Sequence, residues 1–231
     1  MNDATIKEPA RIRRLARDSI GRPVPWFVQW FDDDEATEYG VGKPDFRVVD
    51  SRKLVKALRE RRCFICGDRI TGPNETFAIG PMCVVNRISS EPPNHFDCAV
   101  HAMQVCPWVT NPNKDRRDLG KPDEVITPEG MVTRNPGVCV LWVTRSHELT
   151  MARDTVLVVP GNPTRLEWWC RGRRATGEEI AESFASGLEL LIQTAESEGP
   201  ESLRQLGLRI EDSLPLLPAP IADVGRKALA R

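Results

Sequence analysis

The spacing of hydrophobic and polar positions changes along this chain, and the changes mark its elements. Residues 23–31, PVPWFVQWF, are rich in aromatic and β-branched side chains and read as a strand opened by Pro23 and Pro25. Residues 43–50, KPDFRVVD, read as its partner, so that 25–49 form a hairpin around a long polar loop. That loop carries Asp32, Asp33, Asp34 and Glu35, whose mutual repulsion favours a solvated loop over a metal site. From 51 to 62 the period becomes helical. Leu54, Val55 and Leu58 share one stripe, and Asp50 or Ser51 can cap the start. Arg52, Lys53, Lys56, Arg59, Arg61 and Arg62 make the remaining faces basic.

Downstream, Gly72-Pro73-Asn74 reads as a turn and ETFAIGPM as a strand. Glu91-Pro92-Pro93-Asn94 is a helix-start context, with Asn94 as cap and HFDCAVHAMQVC as the helix. Residues 109–130 have neither period and read as a polar connector. The β-branched runs 138–144 and 155–159 read as two antiparallel strands, with Cys139 buried in the first. Trp168 and Trp169 read as core residues. Thr176 and Glu179 form a capping box, and Ile180, Phe184, Leu188 and Leu191 continue one helical face. Ser186 and Glu189 form a second box, so Gly187 predicts a break there. Residues 201–214 read as a last amphipathic helix.

The ends look less ordered. Residues 1–22 carry Arg11, Arg13, Arg14 and Arg17 and read as a solvated basic arm, or as one that contacts phosphates. Residues 213–231 contain three prolines and read as a flexible or docking tail. The units are thus the arm 1–22, a hairpin, basic helix and metal module at 23–108, the connector 109–130, a strand–helix region 131–212 and the tail 213–231.

Composition narrows the class. With 231 residues, 40% hydrophobic and 28% charged, the chain can bury a real core. Its net charge of -1 argues against a strongly basic coat protein but permits a local basic face. The N-terminus has no apolar signal region, and no apolar run is long enough to span a membrane. An odd count of seven cysteines fits reduced thiols in a cytoplasm.

The chemistry lies between Cys63 and Cys106, which hold five of the seven cysteines. Cys63 and Cys66 form a Cys-x-x-Cys pair, and His95 and Cys98 repeat the two-residue spacing. A Cys-x-x-Cys turn folds its backbone over one cation, and residues three apart on a helix share a face. Cys63, Cys66, His95 and Cys98 are therefore the expected ligands of one structural zinc ion. Cys83, His101 and Cys106 are alternative ligands. Zinc-hydrolase signatures are absent: no His-x-Glu and no HExxH occurs.

Knuckle, hairpin and ligand-bearing helix in this order resemble the treble-clef class. Some treble-clef proteins are HNH-type nucleases, which would implicate Asn86, Glu91, Asn94, His95 and Asp97, although the adjacent Asp-His or His-His pair is missing. Over most of residues 20–195 the chain resembles a family of uncharacterised treble-clef-like zinc proteins of high-GC actinobacteria and their phages. The resemblance rests on CFICG, FAIGPMC, NRISSEPPNHFDCA, the following CPW, NPGV with VTRS, and EWWCRGRRAT. It implies a mobile-element or actinobacterial setting and no mechanism.

The expectation is an α+β protein: a zinc-stabilised treble-clef-like module flanked by a small antiparallel sheet and C-terminal helices. Its expected role is a non-catalytic adaptor or nucleic-acid-binding accessory protein, with Lys53, Lys56, Arg59 and Arg62 contacting phosphate. A metal-dependent nuclease and a purely protein-binding factor are the alternatives.

Overall fold

The computed structural model of the chain describes residues 6–111, 135–152 and 155–229. It is a mixed α+β arrangement of small antiparallel sheets with helices at its C-terminal end. The first part contains α1 (Ala10–Arg13), β1 (Val28–Asp32), β2 (Glu35–Thr37), β3 (Lys43–Val49) and α2 (Ser51–Glu60). The central part contains β4 (Glu75–Ile79), α3 (Pro81–Asn86), α4 (Phe96–Val105) and α5 (Pro107–Thr110). After it come β5 (Cys139–Thr144), β6 (His147–Ala152), β7 (Thr155–Pro160), β8 (Pro163–Cys170) and β9 (Arg173–Arg174). The chain then closes with α6 (Gly177–Glu198), α7 (Pro200–Ser213), a 3-10 turn and α8 (Ala219–Leu229).

The sheet β4-β5-β8-β9 divides the core, because successive side chains of a strand point to opposite faces. Phe77, Ile79, Val140, Trp142 and Trp168 face one side, against Ile180, Phe184 and Leu188 of α6 and Ile221 of α8. Leu141 and Trp169 face the other, against Ala99 and Met103 of α4 and Val109 of α5. The adjacent tryptophans thus serve two opposite cores. α4, which carries Cys98, rests on one of them.

Several expectations change. Residues 138–144 and 155–159 do not pair with each other. β5 lies between β4 and β8, and β7 forms a separate two-stranded sheet with β6. β5 is buried on both faces and needs a neighbour on each edge, which a single local hairpin does not supply. The acidic run is not a long loop. Asp33 and Asp34 both take positive φ (43 and 67) and form the tight turn between β1 and β2, across which Asp32 pairs with Glu35. The first strand starts at Val28, not at the prolines.

α6 runs unbroken through Gly187, which is buried against Met82 of α3; a Cβ there would lie 2.9 Å from Met82 Cγ. The glycine allows close helix approach and does not break the helix. The expected tail is not loose over its described residues, 213–229. Leu217, Ile221 and Ala222 enter the main core. From residue 6 on, the arm is also folded: Ile12 is buried and Arg17 pairs with Glu8 at 2.7 Å. The expected connector lies outside the described residues from 112 onward. Among the described residues no helix is long and apolar enough to cross a membrane.

Candidate metal centre

α2 ends where Arg61 adopts a left-handed conformation (φ 53) and turns the chain into the Cys-x-x-Cys loop. The loop is closed by backbone bonds from Gly67 N–H to the Cys63 carbonyl and from Cys63 N–H to the Asp68 carbonyl, both 2.8 Å. The Cys66 N–H donates to Cys63 Sγ at 3.4 Å. Gly67 holds φ +80, and a Cβ on it would lie 2.8 Å from Trp26 Cγ. Trp26 in turn donates its backbone N–H to the Ile65 carbonyl at 2.7 Å. Gly67→Ala should therefore cost about 2 kcal/mol, from a positive φ and from overpacking on a ring. Thermal unfolding of the metal-loaded variant checks this, and an unchanged midpoint would contradict it.

The second pair arrives differently from expectation. His95 is the N-cap residue of α4 and lies outside the helix, with φ -64 and ψ 144. Asn94 does not cap. Its Oδ1 accepts the Ile65 N–H at 3.1 Å, and its backbone exchanges bonds of 3.0 and 2.8 Å with Thr76. Asn94 thereby joins the Cys-x-x-Cys loop, β4 and the ligand helix at one point. The contact with Thr76 is an isolated bridge, and α3 lies in the chain between its two halves, so the expected local hairpin is reduced to that bridge.

The Sγ atoms of Cys63, Cys66 and Cys98 and a ring nitrogen of His95 all lie within 4.8 Å of one another. The Cys66 Sγ to His95 Nδ1 distance is 3.4 Å. A zinc tetrahedron with ordinary metal–sulfur and metal–nitrogen bonds has edges of about 3.5–3.8 Å, so these residues fit such an ion. His95 Nε2 lies 3.2 Å from the Arg69 carbonyl, which can only accept. An Nε2–H tautomer would donate to that carbonyl and turn the Nδ1 lone pair toward the sulfurs, the orientation a metal ligand needs.

Cys63 and Cys98 are fully buried, while Cys66 and His95 are half-buried. Burial pushes the Cys63 thiol up, but bonds from the Cys66 and Cys98 thiols outweigh it and bring it down to about 4. Cys98 moves the other way, because its proton is held against Cys63 and Cys66 and by burial. A cation at this point would compensate the negative charge of the thiolates that the fold brings together. The N-terminus of α4 adds its own partial positive charge beside Cys98.

No family model, curated protein or solved structure matches this chain. The geometry of the site therefore carries the functional argument.

Above the sulfurs lies the N-terminal segment. Ile12 packs with Cys63, Ile70 and Cys98, and Arg11 pairs with Asp97 at 3.0 Å. Arg14 pairs with Asp68 at 2.5 Å. Arg11 and Arg14 are thus spent on carboxylates beside the cluster, while Arg17 pairs with Glu8 and Arg13 donates to the Glu8 carbonyl. Ile12 and Leu15, three residues apart among arginines, make too short a pattern to announce this cover.

The alternative ligands lie elsewhere. Cys83 sits on α3 against the main core, and burial raises its thiol. Cys106 begins α5 and packs beside Cys139 and Trp108. His101 is buried on α4, with neither ring nitrogen bonded among the described residues. The nuclease candidates are also spread out. Asn86 Oδ1 lies 3.4 Å from Arg209, Asn94 serves the Cys-x-x-Cys loop, Asp97 pairs with Arg11, and Glu91 follows Ser89, whose hydroxyl contacts its backbone.

The four basic positions divide in two. Lys53 points inward, with Nζ 3.5 Å from Asp50 Oδ2 and 4.7 Å from the Tyr39 ring centre. Arg62 pairs with Glu60 and donates to the Gly67 carbonyl at 2.9 Å. Lys56 and Arg59 are exposed and form no ion pair among the described residues.

Proposed function

We propose that this chain is a zinc-stabilised, non-catalytic binding module of treble-clef type that contacts nucleic acid through the outer face of α2. The observation that carries the reading is the closed Cys63, Cys66, His95 and Cys98 set. Three sulfurs and one imidazole suit zinc, and four protein ligands leave no coordination position for substrate water, the mark of a structural site. The order of Cys-x-x-Cys loop, β-bridge and ligand helix supports the treble-clef assignment. The exposed, unpaired Lys56 and Arg59 support a polyanion partner. The chain's net charge of -1 supplies no long-range attraction, so a local patch must act.

Elemental analysis of protein purified without chelator should find about one zinc per chain, by the stoichiometry of such sites. Folded protein free of metal would overturn the zinc reading. Binding to duplex DNA should weaken with salt. Replacing Lys56 and Arg59 together by Ala should flatten the slope of log affinity against log salt by about 1.8, at roughly 0.9 per phosphate contact. Lys53, turned inward over the Tyr39 ring, and Arg62, paired with Glu60, should contribute little to that slope. An unchanged slope in the double variant would remove α2 from the interface.

A further inference from the structure

Beside the outer face of α2 lies a cleft of about 280 Å³. Trp26 and Tyr39 line it, Asp50 and Lys53 belong to its wall, and Arg52 and Lys56 stand along α2. The arrangement is fixed from several directions. Trp26 is held against Gly67 of the Cys-x-x-Cys loop. Tyr39 is held by its hydroxyl, which donates to the Val24 carbonyl at 2.5 Å and accepts the Ala16 N–H at 3.2 Å. Asp50 is committed to the start of α2, where it accepts the Arg52 N–H at 3.0 Å.

Lys53 is less committed. Its Nζ lies 4.7 Å from the Tyr39 ring centre and 5.8 Å from that of Trp26. Its oxygen contacts, Val28 O at 3.4 Å and Asp50 Oδ2 at 3.5 Å, are both long for an N–H···O bond. An ammonium carries three donors, so it can take an acceptor at normal distance.

We infer that this cleft seats one unstacked base of a single-stranded nucleic acid, with Lys53 donating to a base carbonyl and Lys56 holding the adjoining phosphate. This rests on the polyanion reading of α2 and makes it specific. A flat, apolar-faced group with an acceptor edge matches aromatic walls and a half-satisfied ammonium; a bare phosphate would leave the aromatic walls unused. Glu38 lines the same cleft and repels phosphate, so the backbone is directed toward α2. Arg52, Lys56 and Arg59 follow one another at intervals of four and three residues, along one side of that helix. A duplex keeps its bases stacked and offers the cleft nothing but phosphate.

The test uses the full chain with its metal. Fluorescently labelled oligothymidylate and oligouridylate, a duplex of equal phosphate count and inorganic polyphosphate are compared at low salt. The single strands should bind roughly tenfold tighter than the duplex, the scale of one base stacked on aromatic side chains. Lys53→Met should remove that preference while leaving duplex and polyphosphate binding and the zinc content unchanged. If Lys53→Met does not fold, Lys53→Arg keeps the charge and stem but fills the cleft with a larger planar head, and should also remove the preference. Equal binding of single strand and duplex by the wild type, or a preference that survives the variant, would overturn the base seat and leave polyanion binding in place. Failure of all the probes to bind would overturn both readings together.

Discussion

Cys98→Ser should abolish metal binding and lower the thermal midpoint by about 8–16 °C. Cys98 is fully buried beneath Ile12 and stands within 4.8 Å of the other donors, so a serine leaves the ion with three ligands and no replacement from solvent. The metal's binding free energy is also folding free energy, because the unfolded chain holds no preformed site. The central loop, α4 and the N-terminal segment meet at this point, so their mutual contacts loosen together. We take the loss as about 4 kcal/mol, at roughly 2–4 °C per kcal/mol for a chain of this size. A strong chelator should lower the wild-type midpoint by a similar amount and leave that of the variant unmoved. Cys66→Ser should behave alike. Cys139→Ser should keep its zinc and lose only about 1 kcal/mol, the low end for a hydroxyl without a partner, because Cys139 is half-buried. Equal stability of Cys98→Ser and wild type would refute a structural metal.

Glu75→Gln is expected to be the most damaging change outside the metal centre, at about 2–4 kcal/mol. Glu75 is 2% exposed, accepts from Arg61 Nε at 2.5 Å and from His147 Nδ1 at 2.7 Å, and so ties the end of α2 to β4 and β6. Removing one member of a buried charged network leaves its partners uncompensated; the partial exposure of Arg61 moderates the cost. The substitution should also change the acid response. Burial opposes ionisation of Glu75, but bonds from His147 and Arg61 outweigh it and hold the carboxyl below its ordinary value. The unfolded chain then binds this proton at a higher pH than the folded chain. Stability from Glu75 is therefore fully present above the unfolded value of about 4.3 and is lost as pH falls through the folded one. Denaturant unfolding between pH 3 and 6, on the order of that window, should show this component in the wild type and not in the variant. Identical acid profiles would remove Glu75 from the account.

The sequence by itself determined what is local. The Cys63, Cys66, His95 and Cys98 cluster was legible because a Cys-x-x-Cys turn and a His-x-x-Cys helix start each fix their geometry within a few residues. The capping box of Thr176 and Glu179 was legible for the same reason, and it forms as expected. Tertiary structure decided the partners. A strand buried on both faces, such as β5, carries no pattern that names its neighbours, so its place between β4 and β8 could not be read from 139–144 alone. Helical period showed that α2 is basic on several faces, but packing against Trp26 and Tyr39 decided that Lys53 turns inward while Lys56 stays exposed. Prolines 215, 218 and 220 read as breakers. They instead open the 3-10 turn, precede α8 and occupy its first turn, where no helical N–H is lost, and only contact with the core made that helix worth forming. Ile12 is the sharpest case: with Leu15 it makes a two-residue pattern among arginines, too short to name a partner, and its burial over the sulfurs follows from where the folded Cys-x-x-Cys loop and α4 leave a surface to cover.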